Sequence, residues 1–203
     1  MPGRVMNAQP TGSDDDARVL SVLDYRDPLP GPPRRILIAG VSGSGKSTLA
    51  RRIAAKLDLP YTEIDSLYHG PDWTPRASFL EDVAHATAGD RWVIEWQYGT
   101  ARPMLLDRAD TLVWLDHPVA VSLARVIRRT IRRSQTHEVL WNGNVEPPLR
   151  TFFTRPDENI VRWALSTQFT LRKRIPEVKA EMPNFTIVRL RSQRQVEHWL
   201  ASF

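Results

Sequence analysis

A glycine-rich segment that carries a lysine and two hydroxyl side chains is the part of this chain best suited to chemistry. Residues 40–48 read Gly-Val-Ser-Gly-Ser-Gly-Lys-Ser-Thr and match the pattern G-x-x-x-x-G-K-[ST]. Glycines let backbone N–H groups curl around an anion, and the N-terminus of a following helix adds positive potential. The segment therefore predicts a site for the phosphates of ATP, with GTP as the alternative nucleotide.

The side chains of this loop have separate expected roles. Lys46 supplies a mobile positive charge for the β- and γ-phosphates, and Ser47 supplies a hydroxyl to Mg²⁺. The residues expected to contact the nucleotide are Gly40, Ser42, Gly43, Ser44, Gly45, Lys46, Ser47 and Thr48. Two alternatives are a glycine-rich turn without a ligand and a loop that no longer turns nucleotide over.

Carboxylates at the ends of predicted strands are the next candidates. Asp65 is suited to accepting a proton from an acceptor hydroxyl, or to holding Mg²⁺ through water. Glu95 is expected to orient Mg²⁺ together with Ser47, and to face the substrate. For Asp116 the favoured hypothesis is the N-cap of the next helix, with a site role as the alternative.

Arginines are concentrated on one face of the helix that opens at Pro118. At about 100° per residue they occupy one arc, and the apolar residues occupy the opposite arc. The arginines are Arg125, Arg128, Arg129, Arg132 and Arg133, and the apolar arc is Val119, Leu123, Val126, Ile127, Thr130 and Ile131. Three hypotheses compete: a solvated face, contact with a nucleic-acid backbone, and a lid whose Arg128 and Arg132 stabilise a transferring phosphoryl group.

Residues around the third predicted strand are candidates for binding an acceptor. Tyr98 and Arg102 follow that strand, and Arg102 is placed to hold an anionic acceptor. Side chains that would line an acceptor pocket, or serve only in packing, are His69, Trp73 and Trp96. Segment 141–144, Trp-Asn-Gly-Asn, is interpreted as a tight turn.

Strands and helices alternate from residue 35 onward, which predicts an α/β fold. The predicted strands are 36–39, 61–65, 92–95, 111–116 and 185–190. Helices are predicted over 46–57, from Pro118, and after Thr74, where Phe79, Leu80 and Val83 are expected to be buried. A further helix is predicted after Thr154, with an end or kink at Pro176 and with these residues buried: Ile160, Val161, Ala164, Leu165 and Phe169. The last helix is predicted after Ser192, which forms a capping box with Gln195. Such alternation indicates a parallel sheet covered on both faces, with ligands beyond the carboxyl ends of the strands.

Composition bounds the class of protein. The chain has 203 residues, of which 41% are hydrophobic and 25% charged, with a net charge of +5 and no cysteine. No apolar run reaches the ~18 residues that span a bilayer, and the N-terminus lacks a signal pattern, so we expect a cytoplasmic location.

Residues 1–33 are predicted as a flexible tail and Pro-rich linker, within which Val19 to Leu23 is suited to docking. The remainder, 34–203, is predicted as one domain.

The motifs together resemble the small P-loop proteins described as adenylate-kinase-related or as DNA topology modulation proteins. The resemblance covers residues 35 to 200. It rests on the segments 40–48, 63–69 (Glu-Ile-Asp-Ser-Leu-Tyr-His), 92–95 (Trp-Val-Ile-Glu), 108–116 (Arg-Ala-Asp-Thr-Leu-Val-Trp-Leu-Asp) and 140–144 (Leu-Trp-Asn-Gly-Asn). Many relatives have Asp-Gly-Asn-Tyr after the third strand, where this chain has Glu95-Trp96-Gln97-Tyr98. The tryptophan narrows that part of the cleft.

This resemblance implies the architecture of nucleoside monophosphate kinases. That architecture is a five-stranded parallel sheet in the order 2-3-1-4-5 with an arginine-bearing lid, which would lie at about 128–155. The resemblance places Asp65 where related sugar-type kinases keep a substrate-binding or base carboxylate, and Arg102 near the arginine that holds an acceptor phosphate. The Gly-Phe-Pro-Arg segment of adenylate kinases is absent, which argues against adenylate kinase activity.

The sequence thus predicts an ATP- and Mg²⁺-dependent phosphotransferase acting on a small molecule. In the alternative from a different class, the chain is a nucleotide-regulated DNA- or RNA-binding protein, and a third possibility is an NTPase in which water attacks. No recognised nucleic-acid-binding module is present in the sequence, which favours the enzyme. No membrane partner is expected.

Overall fold

A computed structural model describes residues 22–145 and 160–203, and the side chains of 160–166 and 168 are not described. The strands are β1 (Arg35–Gly40), β2 (Tyr61–Thr62), β3 (Trp92–Glu95), β4 (Thr111–Leu115) and β5 (Thr186–Leu190). The helices are α1 (Lys46–Leu57), α2 (Ile64–Tyr68), α3 (Phe79–Ala86), α4 (Arg102–Arg108), α5 (Val119–Thr136), α6 (Ile160–Glu181) and α7 (Gln193–Ala201). Two 3₁₀ turns span Pro71–Trp73 and Trp141–Gly143.

The five strands form one parallel sheet in the order β2-β3-β1-β4-β5, which confirms the predicted class and order. The central strands are continuous apolar runs because helices cover both faces of the sheet. Ile36 and Ile38 belong to one buried cluster, with α1 and α7, and Leu37 and Ala39 belong to the other. The sheet is therefore rigid where its carboxyl edge must hold a site.

The segment that precedes β1 packs on the free edge of the sheet. The amide of Leu23 donates to the carbonyl of Ile187 at 2.8 Å, and the amide of Arg189 donates to the carbonyl of Leu23 at 2.9 Å. The side chains of Leu23, Tyr25 and Leu29 pack against the core. Leu23, the last residue of the segment predicted to be suited to docking, thus pairs with the edge strand β5, while residues 1–21 lie outside the described ranges. The division between a linker and a domain at residues 33 and 34 stays a prediction.

Helix α3 begins later than predicted. The expected start at Pro75 is occupied by a backbone hairpin, in which the amide of Gly70 donates to the carbonyl of Thr74 at 2.7 Å and that of Arg76 donates to the carbonyl of Tyr68 at 2.9 Å. The helix therefore begins at Phe79. Phe79 and Val83 are buried as predicted, but Leu80, which was also predicted to be buried, is 46% exposed.

The arginine-rich helix α5 buries only part of the predicted stripe. Val126 and Thr130 are buried as predicted, but Ser122 is buried with them, whereas Ile127 and Ile131 are 42% and 39% exposed. The helix crosses the glycine-rich loop so closely that a Cβ on Gly43 would lie 2.3 Å from the carbonyl oxygen of Ser122. Small side chains are needed at this crossing, so close approach to the loop decides the orientation of the helix.

Helix α6 also differs from expectation. Phe169 is 64% exposed, and the buried side chains are Leu171, Ile175 and Val178. Pro176 lies inside the helix, which continues to Glu181, so the proline does not end it. The predicted start after Thr154 and the predicted burial over 160–165 fall outside what the structure describes. Within the described ranges, none of the helices has the length and apolar character needed to cross a bilayer.

Candidate active site

A cavity of about 690 Å³ lies along the carboxyl edge of the sheet. It joins the glycine-rich loop to the segments that follow β2 and β3 and to α5. Of the predicted site residues, the following line it: Gly40, Ser42, Gly43, Gly45, Lys46, Ser47, Thr48, Asp65, Glu95, Tyr98, Arg102 and Arg132. Two predicted residues lie elsewhere: Ser44 is buried and borders a second cavity, and Arg128 is exposed on α5 outside this cavity.

The loop between β1 and α1 has the backbone of a phosphate cradle. Gly43 and Gly45 have φ values of 76° and 98°, which L side chains rarely adopt. Lys46 opens α1, and its Nζ donates to the carbonyl of Val41 at 3.3 Å. Burial lowers the pKa of Lys46, while the charges of Asp65 and Glu95 oppose that shift. The lysine is therefore bonded to the loop through Val41 and feels the charge of carboxylates that line the same cavity.

Glu95 ends β3 and is fixed by two hydrogen bonds. Its Oε1 accepts from the hydroxyl of Tyr61 at 2.6 Å, and its Oε2 accepts from the amide of Ile64 at 3.0 Å. Burial and the negative charge of Glu95 raise the pKa of Tyr61, so the phenol stays protonated as a donor. Each carboxylate oxygen still has a lone pair available after accepting one hydrogen bond.

The residues around Glu95 and Ser47 suit Mg²⁺. Both residues line the cavity, and together they offer a carboxylate and a hydroxyl, the hard oxygen donors that Mg²⁺ takes. In the described part of the chain there is no cluster of three or more His, Cys, Asp or Glu side chains able to hold a metal by themselves. That is the pattern of Mg²⁺ sites in which phosphates and water supply most ligands.

Asp65 lies in the first turn of α2, not at the end of a strand. The predicted strand 61–65 spans only Tyr61–Thr62. The amide of Ile64 donates to Glu95 instead of continuing the strand, and the helix begins there. Oδ1 of Asp65 accepts from Nε2 of Gln97 at 2.8 Å and from the hydroxyl of Tyr98 at 2.6 Å. The prediction was therefore wrong only about the secondary structure at Asp65, since its carboxylate does line the cavity.

Four of the five arginines of α5 line the cavity, namely Arg125, Arg129, Arg132 and Arg133. Arg125 donates to the carbonyl of Ser44 at 3.3 Å, and Arg129 donates to the hydroxyl of Ser42 at 3.1 Å. Arg132 pairs with Glu138 at 3.0 Å. Arg128 is exposed and does not line the cavity.

Aromatic side chains form a wall along part of the cavity. This aromatic wall consists of His69, Trp73 and Trp141, which contact one another and line the cavity. The rings of His69 and Trp141 are stacked, with centroids 5.9 Å apart and an interplanar angle of 21°. The candidates His69 and Trp73 thus lie together, and Trp141, which the sequence assigned only to a turn, joins them. The third candidate, Trp96, lines the cavity beside Arg102.

The turn that carries Trp141 is tied to the segment after α2 by Asn144. Its Oδ1 accepts from the amide of Trp73 at 3.0 Å, and its Nδ2 donates to the carbonyl of Gly70 at 2.8 Å. Asn144 is 5% exposed, so these bonds are shielded from water. Nothing in the local sequence indicates this pairing, because the two segments are some 70 residues apart in the chain.

Arg102 begins α4 and faces the cavity without an ion pair among the described residues. Its guanidinium lies 4.9 Å from the ring centroid of Trp96, and its buried Nε has no hydrogen-bond partner in the described part of the chain. Burial lowers the pKa of Arg102, and the charge of Arg174 lowers it further. A desolvated cation that lines the cavity in this way favours an anionic group on a ligand.

Asp116 does not cap α5, whose N-cap is Pro118 without a side-chain bond. The buried carboxylate instead accepts from Nε of Arg172 at 2.9 Å and from the guanidinium of Arg189. It therefore ties α6 to β5, and the N-cap prediction is wrong. Asp116, which follows β4, pairs with these arginines because a buried carboxylate needs charged partners.

A second cavity of about 240 Å³ lies beside the loop, on the side of β4 and α7. Its polar lining includes Thr48, Arg52, His117, Arg125 and Gln193. Gln193 and Val196 line it, so this cavity lies beside the segment 191–196 that follows β5.

Known proteins resemble this chain over part of its sequence and in its fold. No family model matches the chain. The bifunctional pantoate ligase/cytidylate kinase of Synechococcus sp. (strain JA-2-3B'a(2-13)) is 37% identical over 91 residues, which is 43% of this chain and only 14% of the length of that protein.

Two solved structures are similar over most of the chain. Shikimate kinase from Bacteroides thetaiotaomicron has a TM-score of 0.50 and 16% identity, covering 84% of this chain and 96% of the other. A gluconokinase from Sinorhizobium meliloti 1021 has a TM-score of 0.49 and 21% identity, covering 84% and 93%. The first likeness shows that the chain has the α/β fold of P-loop kinases. The narrower resemblance to adenylate-kinase-related or DNA topology modulation proteins stays a hypothesis.

Proposed function

We propose that this chain is an ATP- and Mg²⁺-dependent phosphotransferase that acts on a hydroxyl group of a small molecule. One observation carries the proposal: a single cavity joins the glycine-rich loop and Lys46 to a carboxylate, Asp65, that is fixed through one oxygen. Phosphoryl transfer needs a phosphate cradle and an oriented acceptor hydroxyl in one space. GTP is the alternative donor.

The phosphate end of the cavity belongs to the loop and to α5. The loop amides and Lys46 would bind the β- and γ-phosphates, and Arg129 and Arg132 would stabilise the charge of the transferring phosphoryl group. Glu95 and Ser47 would hold Mg²⁺, which supplies charge neutralisation on the phosphate oxygens when bound. Arg128 has no part in this arrangement, since it lies outside the cavity.

The acceptor end belongs to α2, α4 and the aromatic wall. Asp65 would accept the proton of the acceptor hydroxyl, and Arg102 would bind an anionic group of the same molecule. His69, Trp73 and Trp141 would cover the apolar part of the acceptor and keep water from the γ-phosphate. Water excluded in this way favours transfer over hydrolysis.

The curated relative supports the proposal at the level of its name, since cytidylate kinase is one of its two activities. The orientation of α5 weighs against the nucleic-acid alternative, because four of the five arginines face the cavity. An acceptor-free NTPase would use the same loop and lysine and would leave Asp65 without a substrate hydroxyl.

The test is incubation of the full chain with ATP labelled at the γ-phosphate, Mg²⁺ and a pooled library of metabolites and nucleosides. A Lys46→Ala variant is the control for transfer that does not depend on the loop. We expect a labelled small molecule with the wild-type chain and none with the variant. Release of labelled inorganic phosphate alone, at a rate that the library does not change, would contradict the proposal and favour the NTPase.

A further inference from the structure

A row of hydrogen-bonded side chains lies behind the carboxylate of Asp65. Its Oδ1 accepts from the hydroxyl of Tyr98 at 2.6 Å and from Nε2 of Gln97 at 2.8 Å. The Tyr98 hydroxyl in turn lies 3.2 Å from Nε2 of His69. No group in the described residues donates to Oδ2 of Asp65, so the two oxygens of this carboxylate have different surroundings.

The direction of each hydrogen bond follows from chemistry. A carboxylate only accepts, so Tyr98 must donate its one hydroxyl proton to Asp65. The Tyr98 oxygen can then only accept from His69, which requires the proton of His69 to be on Nε2. The buried Nδ1 of His69 has no hydrogen-bond partner within the described ranges, as expected for the nitrogen that carries no proton.

Tyr98 is held in an uncommon conformation. Its φ of 58° is unusual for an aromatic residue, and such strain is concentrated at functional sites. The ring is stacked on Tyr68 with centroids 3.9 Å apart, and it meets the edge of Phe79 at 5.2 Å. The Tyr98 carbonyl accepts from the amide of Arg102 at 3.2 Å at the start of α4. Packing and backbone therefore both fix the hydroxyl.

His69 is fixed from two further sides. Its amide donates to the carbonyl of Asp65 at 3.0 Å, so the two residues are joined by one helical turn. Its ring is stacked on Trp141, and its carbonyl accepts from the side-chain amide of Asn142. The turn that follows α5 thus orients the imidazole that orients Tyr98.

We propose that Tyr98, oriented by His69, is a positioning residue that fixes Asp65 through Oδ1 and leaves Oδ2 for the hydroxyl of the acceptor. This inference rests on the proposed function. In the transfer step the acceptor oxygen bonds to the γ-phosphorus as its proton passes to Oδ2. The bond from phosphorus to the bridging oxygen breaks, and ADP leaves with the electron pair. Tyr98 and His69 keep their protons throughout.

The first test needs no acceptor. In the chain labelled with ¹⁵N-histidine, long-range ¹H–¹⁵N spectra report which nitrogen of each imidazole carries the proton. The His69 signal is identified by its loss in His69→Gln. We expect the Nε2–H form, and a change of its Nε2 shift in Tyr98→Phe but not in Tyr68→Phe, which removes a hydroxyl from the neighbouring stacked ring. A proton on Nδ1 would overturn the inference.

The second test measures transfer of labelled γ-phosphate to the metabolite and nucleoside pool. Because misplacement of about 1 Å can cost roughly 100-fold in rate, Tyr98→Phe should lower kcat by about 10- to 100-fold with little change in KM for ATP. Tyr68→Phe is the matched control and should keep the wild-type rate. Adding Tyr98→Phe to Asp65→Asn should cause no further loss, because the positioned group is already gone. A loss that multiplies with that of Asp65→Asn would identify a merely structural role.

His69 gives a rescue experiment. His69→Gln keeps an N–H donor near the position of Nε2, whereas His69→Ala removes it, so the glutamine variant should retain more of kcat. Equal losses in the two variants would contradict the orienting role of His69. If wild-type chain transfers phosphate to nothing in the pool, the proposed function fails and the positioning role fails with it. If it transfers phosphate and Tyr98→Phe is as active as wild type, the positioning inference alone is wrong.

Discussion

At the scale of single residues, Asp65 is a side chain whose two carboxylate oxygens have different surroundings. Its Oδ1 accepts two hydrogen bonds, while the residue lines the cavity shared with Lys46. Those bonds fix the carboxylate without occupying both oxygens. The proposed acceptance of a proton by Asp65 can therefore be tested separately from nucleotide binding.

We expect Asp65→Asn to lower phosphate transfer by about 100- to 10,000-fold, because a positioned general base contributes that much. The asparagine keeps the size of the side chain, so binding of Mg·ATP should stay within about threefold, a small change on the scale of one hydrogen bond. Transfer of labelled phosphate and isothermal titration with a non-hydrolysable ATP analogue measure the two effects. Asp72→Asn, on the exposed turn after α2, is the control. Full activity of Asp65→Asn would contradict the assignment.

His117 gives a pH-dependent prediction for stability. Burial lowers its pKa from 6.5, and Arg125 lowers it further, so the native state resists protonation. Below that reference value the unfolded chain binds a proton that the native chain does not, and stability falls as pH falls. His117→Gln should lose less stability than wild type between pH 8 and pH 5.5, as measured by urea unfolding.

The matched control for His117→Gln is His85→Gln on α3, which removes an imidazole from outside the second cavity. If the difference in unfolding free energy between wild type and His117→Gln is the same at both pH values, the buried neutral state of His117 is refuted.

At the scale of elements, the crossing of α5 over the glycine-rich loop decides which arginines face the nucleotide. The backbone of Ser122 and the side chain of Val126 lie where a Cβ on Gly43 would be, at 2.3 Å and 2.6 Å. Gly43 also has a φ of 76°. Glycine at this position therefore serves both the loop conformation and the approach of the helix.

Gly43→Ala should push α5 away from the loop. Because overpacking of a tight contact typically costs about 1–3 kcal/mol, the free energy of unfolding should fall by that amount or more. Nucleotide affinity should fall as well, since Arg129 and Ser42 would separate. Gly99→Ala is the control, because its Cβ would meet nothing within 4 Å. Urea unfolding and nucleotide titration measure the two effects, and equal behaviour of both variants would contradict the close crossing.

At the scale of the whole molecule, the location of the positive charges matters more than the net charge. The net charge is +5, but four arginines of α5 and Arg102 line the cavity. Arg128 is exposed on α5 and does not line the cavity. Positive charge gathered in a cleft attracts a small anionic ligand, whereas a polymer needs it on an open surface.

We therefore expect Arg129→Ala to weaken Mg·ATP binding by about tenfold, the effect of losing one charge-assisted hydrogen bond, and Arg128→Ala to leave it nearly unchanged. Binding of duplex DNA, followed by fluorescence anisotropy at rising salt, should be weak with both variants and with wild type. Tight, salt-sensitive DNA binding that Arg128→Ala abolishes would instead support the nucleic-acid alternative.

Much of the fold follows from local sequence. The apolar runs at 36–39 and 92–94 predict buried parallel strands because strands of a parallel sheet are covered on both faces. Ser192 and Gln195 predict the start of α7, and the amide of Gln195 does donate to the Ser192 hydroxyl, at 3.3 Å. The predicted start of the helix after Thr74 was wrong, because it depends on backbone hydrogen bonds within a hairpin. The capping pattern at Thr74 does not reveal those bonds.

The sequence by itself determined the phosphate loop, since its glycines and lysine act through backbone geometry that is local to residues 40–48. It also brought Asp65 and Glu95 into consideration, because the ends of parallel strands meet at one edge. Only the tertiary structure decided which face of α5 meets the loop, what Asp116 binds and how Tyr98 and His69 join Asp65. These contacts link segments far apart in the chain, so their energies depend on packing that no local pattern records.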